Sequence, residues 1–183
     1  MKSLAGQLLL ATPRLPDENF YRSVVLMIEH TEDGALGVVL NRLADRSVEE
    51  LWSEVSDVEC RGHRPLNLGG PVSGPLMAVH TDKDSSELEI MPGLYLAAQK
   101  ANLDHLVQQE QHRCRIFLGH SGWGGGQLEE ELKQGAWHVT PATLEAIFHA
   151  EDDLWETVAK QISDSVLLES LKIKNVPSDP SMN

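Results

Sequence analysis

Residues 23–30 read SVVLMIEH and residues 35–42 read ALGVVLNR. Both are short apolar runs rich in Val, and neither alternates apolar with polar. Between them stands Thr31-Glu32-Asp33-Gly34, a turn whose glycine can take a positive φ. The pattern predicts an antiparallel hairpin, with residues paired so that their numbers sum to about 65. Strands without alternation are apolar on both faces, so the hairpin must be covered on both sides. A chain built around it needs layers above and below.

The rest of the sequence supplies them. Residues 6–12 (GQLLLAT) read as a first strand, closed by Pro13 and Pro16. In RSVEELWSEV the period changes: Val48, Leu51, Trp52 and Val55 fall on one face of a helix, and Ser47 with Glu50 forms a capping box. Residues 56–75 read as irregular. LMAVHTD and ELEIMPGLYLA read as short strands around an acidic loop, and residues 102–109 as a short helix. RCRIFLGH reads as a strand running into a glycine-rich loop, QLEEELKQ as the helix after it, and Gly135 as its end. WHV reads as one more strand. Thr140-Pro141 reads as a helix start and DDLWETVAKQI as a last amphipathic helix. The expected fold is a single-domain α/β sandwich over residues 1–165, with a mixed β-sheet and helices packed on its faces. Residues 166–183 are a C-terminal extension, and the last ten or so read as disordered.

A chain of 183 residues is long enough for one core of this kind, and its 41% hydrophobic and 23% charged residues are ordinary. The formal net charge of -13 is not. It repels phosphate backbones and anionic membrane surfaces, and the Lys and Arg residues never gather into a run. Direct nucleic-acid binding is therefore disfavoured. Two cysteines, Cys60 and Cys114, cannot form a disulfide framework, which points to a reducing cytoplasm. The N-terminus lacks an A-x-A cleavage site, and no apolar run has the ~20 residues of a membrane span.

The stretch that follows the RCRIFL strand, GHSGWGGGQLEEELKQGAW (residues 119–137), invites three chemical readings. A phosphate loop needs a Lys after its last glycine, and Gln127 stands there. Glu129, Glu130 and Glu131 also occupy the helix start where a phosphate would sit. A nucleophile elbow, G-x-S-x-G, fails at its last position, which is Trp123. The remaining reading is structural. The glycines let a strand turn closely into a helix, Leu128 and Leu132 face the core, and Trp123 and Trp137 brace the helix ends.

Two other groupings bear on function. Cys60-x-x-His63 and His112-x-Cys114 contain metal-ligand types, but their spacing matches no ordinary zinc module, and Cys114 reads as packed in its strand. At the open end of the hairpin, Ser23 is expected opposite Arg42, with Arg22 and Asn41 on the other face. Strand ends commonly turn polar at solvent. The alternative is a corner that binds a small anion through Arg22, Asn41 and Arg42.

Three stretches together carry a resemblance: residues 6–42, LGGPVSG (residues 68–74) and GHSGWGGGQLEEELKQGAW. In order and wording the chain resembles the bacterial YqgE/AlgH family over nearly its whole length up to the last helix. It departs at Leu43, where Pro follows Asn41-Arg42 in many members. The resemblance implies a compact cytoplasmic α/β sandwich. It implies no established activity, so it carries over no catalytic residue, metal ligand or cofactor. The name of one branch implies a part in transcription regulation, of alginate production. The expectation is thus a non-enzymatic regulatory or interaction protein acting through an unidentified protein partner. Its candidate surface joins the glycine loop, LGGPVSG and the hairpin end, with Trp123 as apolar anchor and Ser121 and Gln127 as hydrogen-bonding groups. The rival is a sensor or enzyme for a small anionic metabolite, using Arg22 and Arg42.

Overall fold

A computed structural model describes residues 2–15, 17–148 and 153–171. The hairpin forms as expected from β2 (Val24–Thr31) and β3 (Gly34–Val39). Near the turn the pairing is His30 with Ala35 and Thr31 with Gly34. A bulge between Met27 and Glu29 then shifts the register, so that Met27 faces Gly37 and Val25 faces Val39. This corrects the expected end of the hairpin. Continued past Val39, the shifted register brings Asn41, not Arg42, opposite Ser23.

The expected mixed sheet comes as two sheets facing each other. The antiparallel sheet has the order β10-β3-β2-β1-β11, with β1 at Gln7–Ala11, β10 at Ser121–Gly124 and β11 at Trp137–Pro141. The second has the order β4-β5-β9-β6-β8-β7. Its strands are β4 (Leu43–Ser47), β5 (Pro65–Leu68), β6 (Met77–His80), β7 (Leu88–Met91), β8 (Leu94–Ala97) and β9 (Cys114–Leu118). Only β5 and β9 pair in parallel, which makes this sheet mixed.

Three buried clusters show how the layers stack. Between the sheets, Leu8, Leu10, Leu26, Ile28, Val38 and Leu40 meet Met77, Val79, Leu94 and Phe117. Helices α4 (Leu144–Ile147) and α5 (Leu154–Leu171) close this layer with Ile147, Leu154 and Val158. The opposite face of the first sheet sends Leu9, Val25, Met27 and Val39 against Phe20, Trp123, Trp137 and Leu128 of α3 (Gln127–Lys133). The outer face of the second sheet is covered by α1 (Val48–Val55) and α2 (Lys100–Val107), with Trp52, Leu103 and Leu106 over Leu66, Ala78 and Ile116. Each hairpin strand therefore feeds two cores, which is why its sequence does not alternate.

Local signals place the helices. Ser47 and Glu50 make the full capping box of α1. α3 begins at Gly126, which has φ 77°, and ends before Gly135 at φ 74°. Thr140-Pro141 does not start a helix: Pro141 closes the edge strand β11, and Thr143 caps α4 by accepting from the Ala146 amide. Residues 56–75, expected to be irregular, contain β5. The expectation for the last ten residues lies outside the described residues.

Candidate functional site

The stretches that carry the resemblance converge on one seam, where the chain passes from the second sheet to the first. β9 ends at Leu118, Gly119 turns at φ 70°, His120 makes a reciprocal bridge with Val72, and β10 joins the edge of β3. So the glycine loop holds a short strand that the glycine-rich wording concealed. Gly69 is the pin of this crossing. Its amide donates to the Leu118 carbonyl at 2.9 Å, and its carbonyl accepts from the Val39 amide at 2.8 Å and from Ser121 Oγ at 3.1 Å. A Cβ on Gly69 would stand 2.3 Å from the Gly119 carbonyl oxygen, so only glycine lets the segments approach.

The predicted polar groups are mostly spent inside this construction. Ser121 is fully buried and bonded to Gly69, so its hydroxyl is not presented to a substrate. Trp123, expected as a surface anchor, is only 6% exposed. It stacks with Phe20 and meets Trp137 edge-on at 6.0 Å. Its Nε1 donates to Glu131 Oε2 at 3.0 Å, and Trp137 Nε1 donates to the same oxygen at 2.8 Å. Gln127 donates to Glu131 Oε1 at 3.0 Å and accepts from the Gly124 amide at 3.1 Å. The motif is thus a clamp that fastens α3 to β10 and β11. The two tryptophans do brace the helix, as the sequence suggested, through a carboxylate that it did not single out.

The hairpin end is likewise internally bonded. Asn41 accepts from the Val24 amide at 2.9 Å and donates to the Arg22 carbonyl at 2.8 Å. Arg42 donates to the Tyr21 carbonyl and, at 3.4 Å, to Ser23 Oγ. Arg22 takes a left-handed φ of 52°, the one non-glycine to do so among the described residues. Its guanidinium pairs with Glu156 at 2.9 Å and lies over the Trp155 ring at 4.9 Å. Arg22, Asn41 and Arg42 do come together, but they tie the hairpin end to its neighbours.

Beneath the seam lies a residue that the sequence reading passed over. Arg115, 8% exposed, donates to the Leu40 carbonyl, to Asn67 Oδ1 and, at 2.8 Å, to the Ile147 carbonyl. It also lies 5.5 Å over the Phe117 ring. Its signal was available: a cation between Cys114 and Ile116, inside an apolar strand, must find partners when buried. Away from the seam, burial opposes ionisation of Asp82. Hydrogen bonds from Ser85, Gln109 and the Asp84 amide outweigh it and hold this carboxyl below its ordinary range. His80 nearby is fully buried, and burial pushes its imidazole below the usual value. Burial drives the Cys114 thiol up to about 12, which fits a packed cysteine and not a nucleophile.

Outside, the seam presents carbon. Leu68 and Leu118 are register partners on β5 and β9 and are 38% and 37% exposed, while Val72, bridged to His120 in the loop after β5, is 41% exposed. His120 is half-buried among Val72, Gly74 and Gly122.

Two facing sheets, helices outside both and a glycine-pinned crossover between them define an α/β sandwich whose distinctive wording sits at the crossing. The AlgH-like family (DUF179) matches residues 8–166 of this chain, and the chain belongs to that family. A UPF0301 protein of Myxococcus xanthus is 41% identical over 165 residues, covering 87% of this chain and 91% of its own. One of Chlorobium limicola is 35% identical over 185 residues, covering 97% and 95%. Among solved structures, the AlgH protein from Pseudomonas aeruginosa is similar at a TM-score of 0.73 and 27% identity, with 97% of each chain covered. A Corynebacterium diphtheriae protein is similar at 0.72 and 26%, with 88% of each chain covered.

Proposed function

We propose that the chain is a non-enzymatic regulatory protein of the cytoplasm that works by docking a protein partner on the seam. The observation that carries this reading is the division of labour there. Ser121, Trp123, Trp137 and Gln127 of the shared motifs are bonded internally, and the crossing offers outward Leu68, Leu118 and Val72. An exposed apolar group on a rigid, glycine-pinned frame suits a partner better than a substrate. The small-anion reading has less support, because Arg22 and Arg42 already have internal partners.

A photo-crosslinking amino acid at Val72 tests the proposal in cells. A discrete protein adduct is expected from Val72, and none from the same group at exposed Leu88 on the far edge strand β7. Equal labelling at both positions, or none at Val72, would sink the reading.

A further inference from the structure

The outer face of the second sheet shows what kind of partner segment fits. Along β5 and β9, Leu66 and Ile116 are buried under the helical layer, and Leu68 and Leu118 follow two residues on, on the same face, about 7 Å further out. Neither Leu68 nor Leu118 belongs to the buried cluster beneath α1 and α2, and both remain exposed. β5 lies between β4 and β9, and β9 between β5 and β6, so neither has a free backbone edge for an added strand. Whatever covers this strip must do so with side chains. A helix laid beside the existing ones would complete the layer.

Charge narrows the choice. On and just after α1, Glu50, Glu54, Asp57 and Glu59 are exposed. Of the nearby cations, Arg46 is tied to Glu54 at 2.8 Å, Lys100 to Asp104 at 2.8 Å and Arg64 to the carbonyls of Leu106 and Gln109, which leaves Arg61 facing solvent. The whole chain carries -13. Resting on the docking reading above, we propose that the strip of Leu68, Leu118 and Val72 receives a basic amphipathic helix of a partner protein. The apolar stripe of that helix covers the strip, and its Lys and Arg side chains face the carboxylates of α1. Such charges speed the encounter and select against acidic partners.

The test uses three labelled peptides of about five helical turns with one shared leucine stripe and Lys, Gln or Glu at the remaining positions. Each is titrated into the full chain by fluorescence anisotropy. The Leu/Lys peptide is expected to bind at least tenfold more tightly than the Leu/Gln peptide, and the Leu/Glu peptide least of the three. The Leu/Lys affinity is expected to fall roughly tenfold in Leu118→Ser, in Val72→Ser and in the double variant Glu54→Lys with Asp57→Lys. Val72 lies in an exposed loop, so its variant keeps the test open if Leu118→Ser proves unstable. Equal binding of the Lys and Gln peptides would overturn the basic partner while leaving the docking strip in place. Lys-peptide binding untouched by both serine variants would reduce the effect to bulk charge and overturn the site. Should no peptide bind, the basic helix is refuted, and the Val72 crosslink decides separately whether the seam docks anything.

Discussion

Glu131 gives one carboxylate oxygen to two buried indoles, Trp123 and Trp137. Removing it leaves the N–H donors of two buried indoles without their acceptor, and each such donor costs on the order of 1–3 kcal/mol. Glu131→Ala is therefore expected to destabilise by about 3 kcal/mol and to lower the melting point by about 6–12 °C. Gln127→Ala, at an exposed position, is expected to cost under about 0.5 kcal/mol. Thermal unfolding followed by tryptophan fluorescence checks both, and a Glu131→Ala protein as stable as Gln127→Ala would refute the clamp. Gly69→Ala is a second test at this scale. Its Cβ would meet backbone rather than a flexible side chain, so a cost of at least about 2 kcal/mol is expected. The contrast shows what could be read at the level of residues. The tryptophan brace was legible because both indoles flank one helix in the sequence. Glu131 was not, because in sequence it is one glutamate of three on the helix. The roles of the three separate only in space: Glu131 reaches the indoles, Glu129 meets buried His30 at 2.9 Å, and Glu130 faces Lys133 at the surface.

At the scale of elements, patterns confined to one segment read well and crossings did not. The hairpin, the capped α1 and the glycine-ended α3 each carry their cause within one short continuous segment. β5 and β10 do not: each is four residues long, and each is a strand only because it pairs with a segment distant in sequence, β9 and β3 respectively. The attachment of α5 is similarly non-local. It rests on Leu154 and Val158 in the core, on Trp155 Nε1 donating to the Ala11 carbonyl at 3.1 Å, and on Arg22. Arg22 holds a left-handed backbone at a cost of roughly 1 kcal/mol, offset by an exposed ion pair and a cation–π contact of about 0.5–1 kcal/mol each. Arg22→Ala keeps the strain and loses the contacts, so a loss of about 1–2 kcal/mol is expected. Arg22→Gly loses the contacts and also the strain, so it should be nearly neutral. Urea unfolding of the two variants and wild type tests this: alanine less stable than glycine supports the strain, and an alanine variant as stable as wild type refutes the latch.

The molecule as a whole couples a heavy negative charge to a buried imidazole, and its response to acid follows from both. Burial holds the folded-state titration of His80 below its unfolded value of about 6.5, so below that pH the unfolded chain binds a proton that the folded chain refuses. Stability is then lost as pH falls through the interval beneath 6.5. Asp82, Glu87 and Asp104 act further down. Burial opposes the charge of the first two, but hydrogen bonds prevail, and Lys100 leads the partners that lower Asp104. Their stabilisation is present above the ordinary carboxylate range and disappears as they protonate in the folded state. Two steps are therefore expected in stability against pH, one beginning near 6.5 and one below about 4. Neither ring nitrogen of His80 has a partner of good hydrogen-bond geometry, and Asp82, through its charge and its backbone, favours the charged form, so His80→Phe removes at most one weak contact. The ring it introduces is of similar size, and the site already holds Tyr95 at 6.1 Å. In this variant the upper step should shrink while the lower step stays. Urea unfolding at pH 7.5 and 5.5 measures the difference directly. If wild type and His80→Phe lose the same stability over that interval, the upper step belongs to the other seven histidines, and the buried imidazole is not its source.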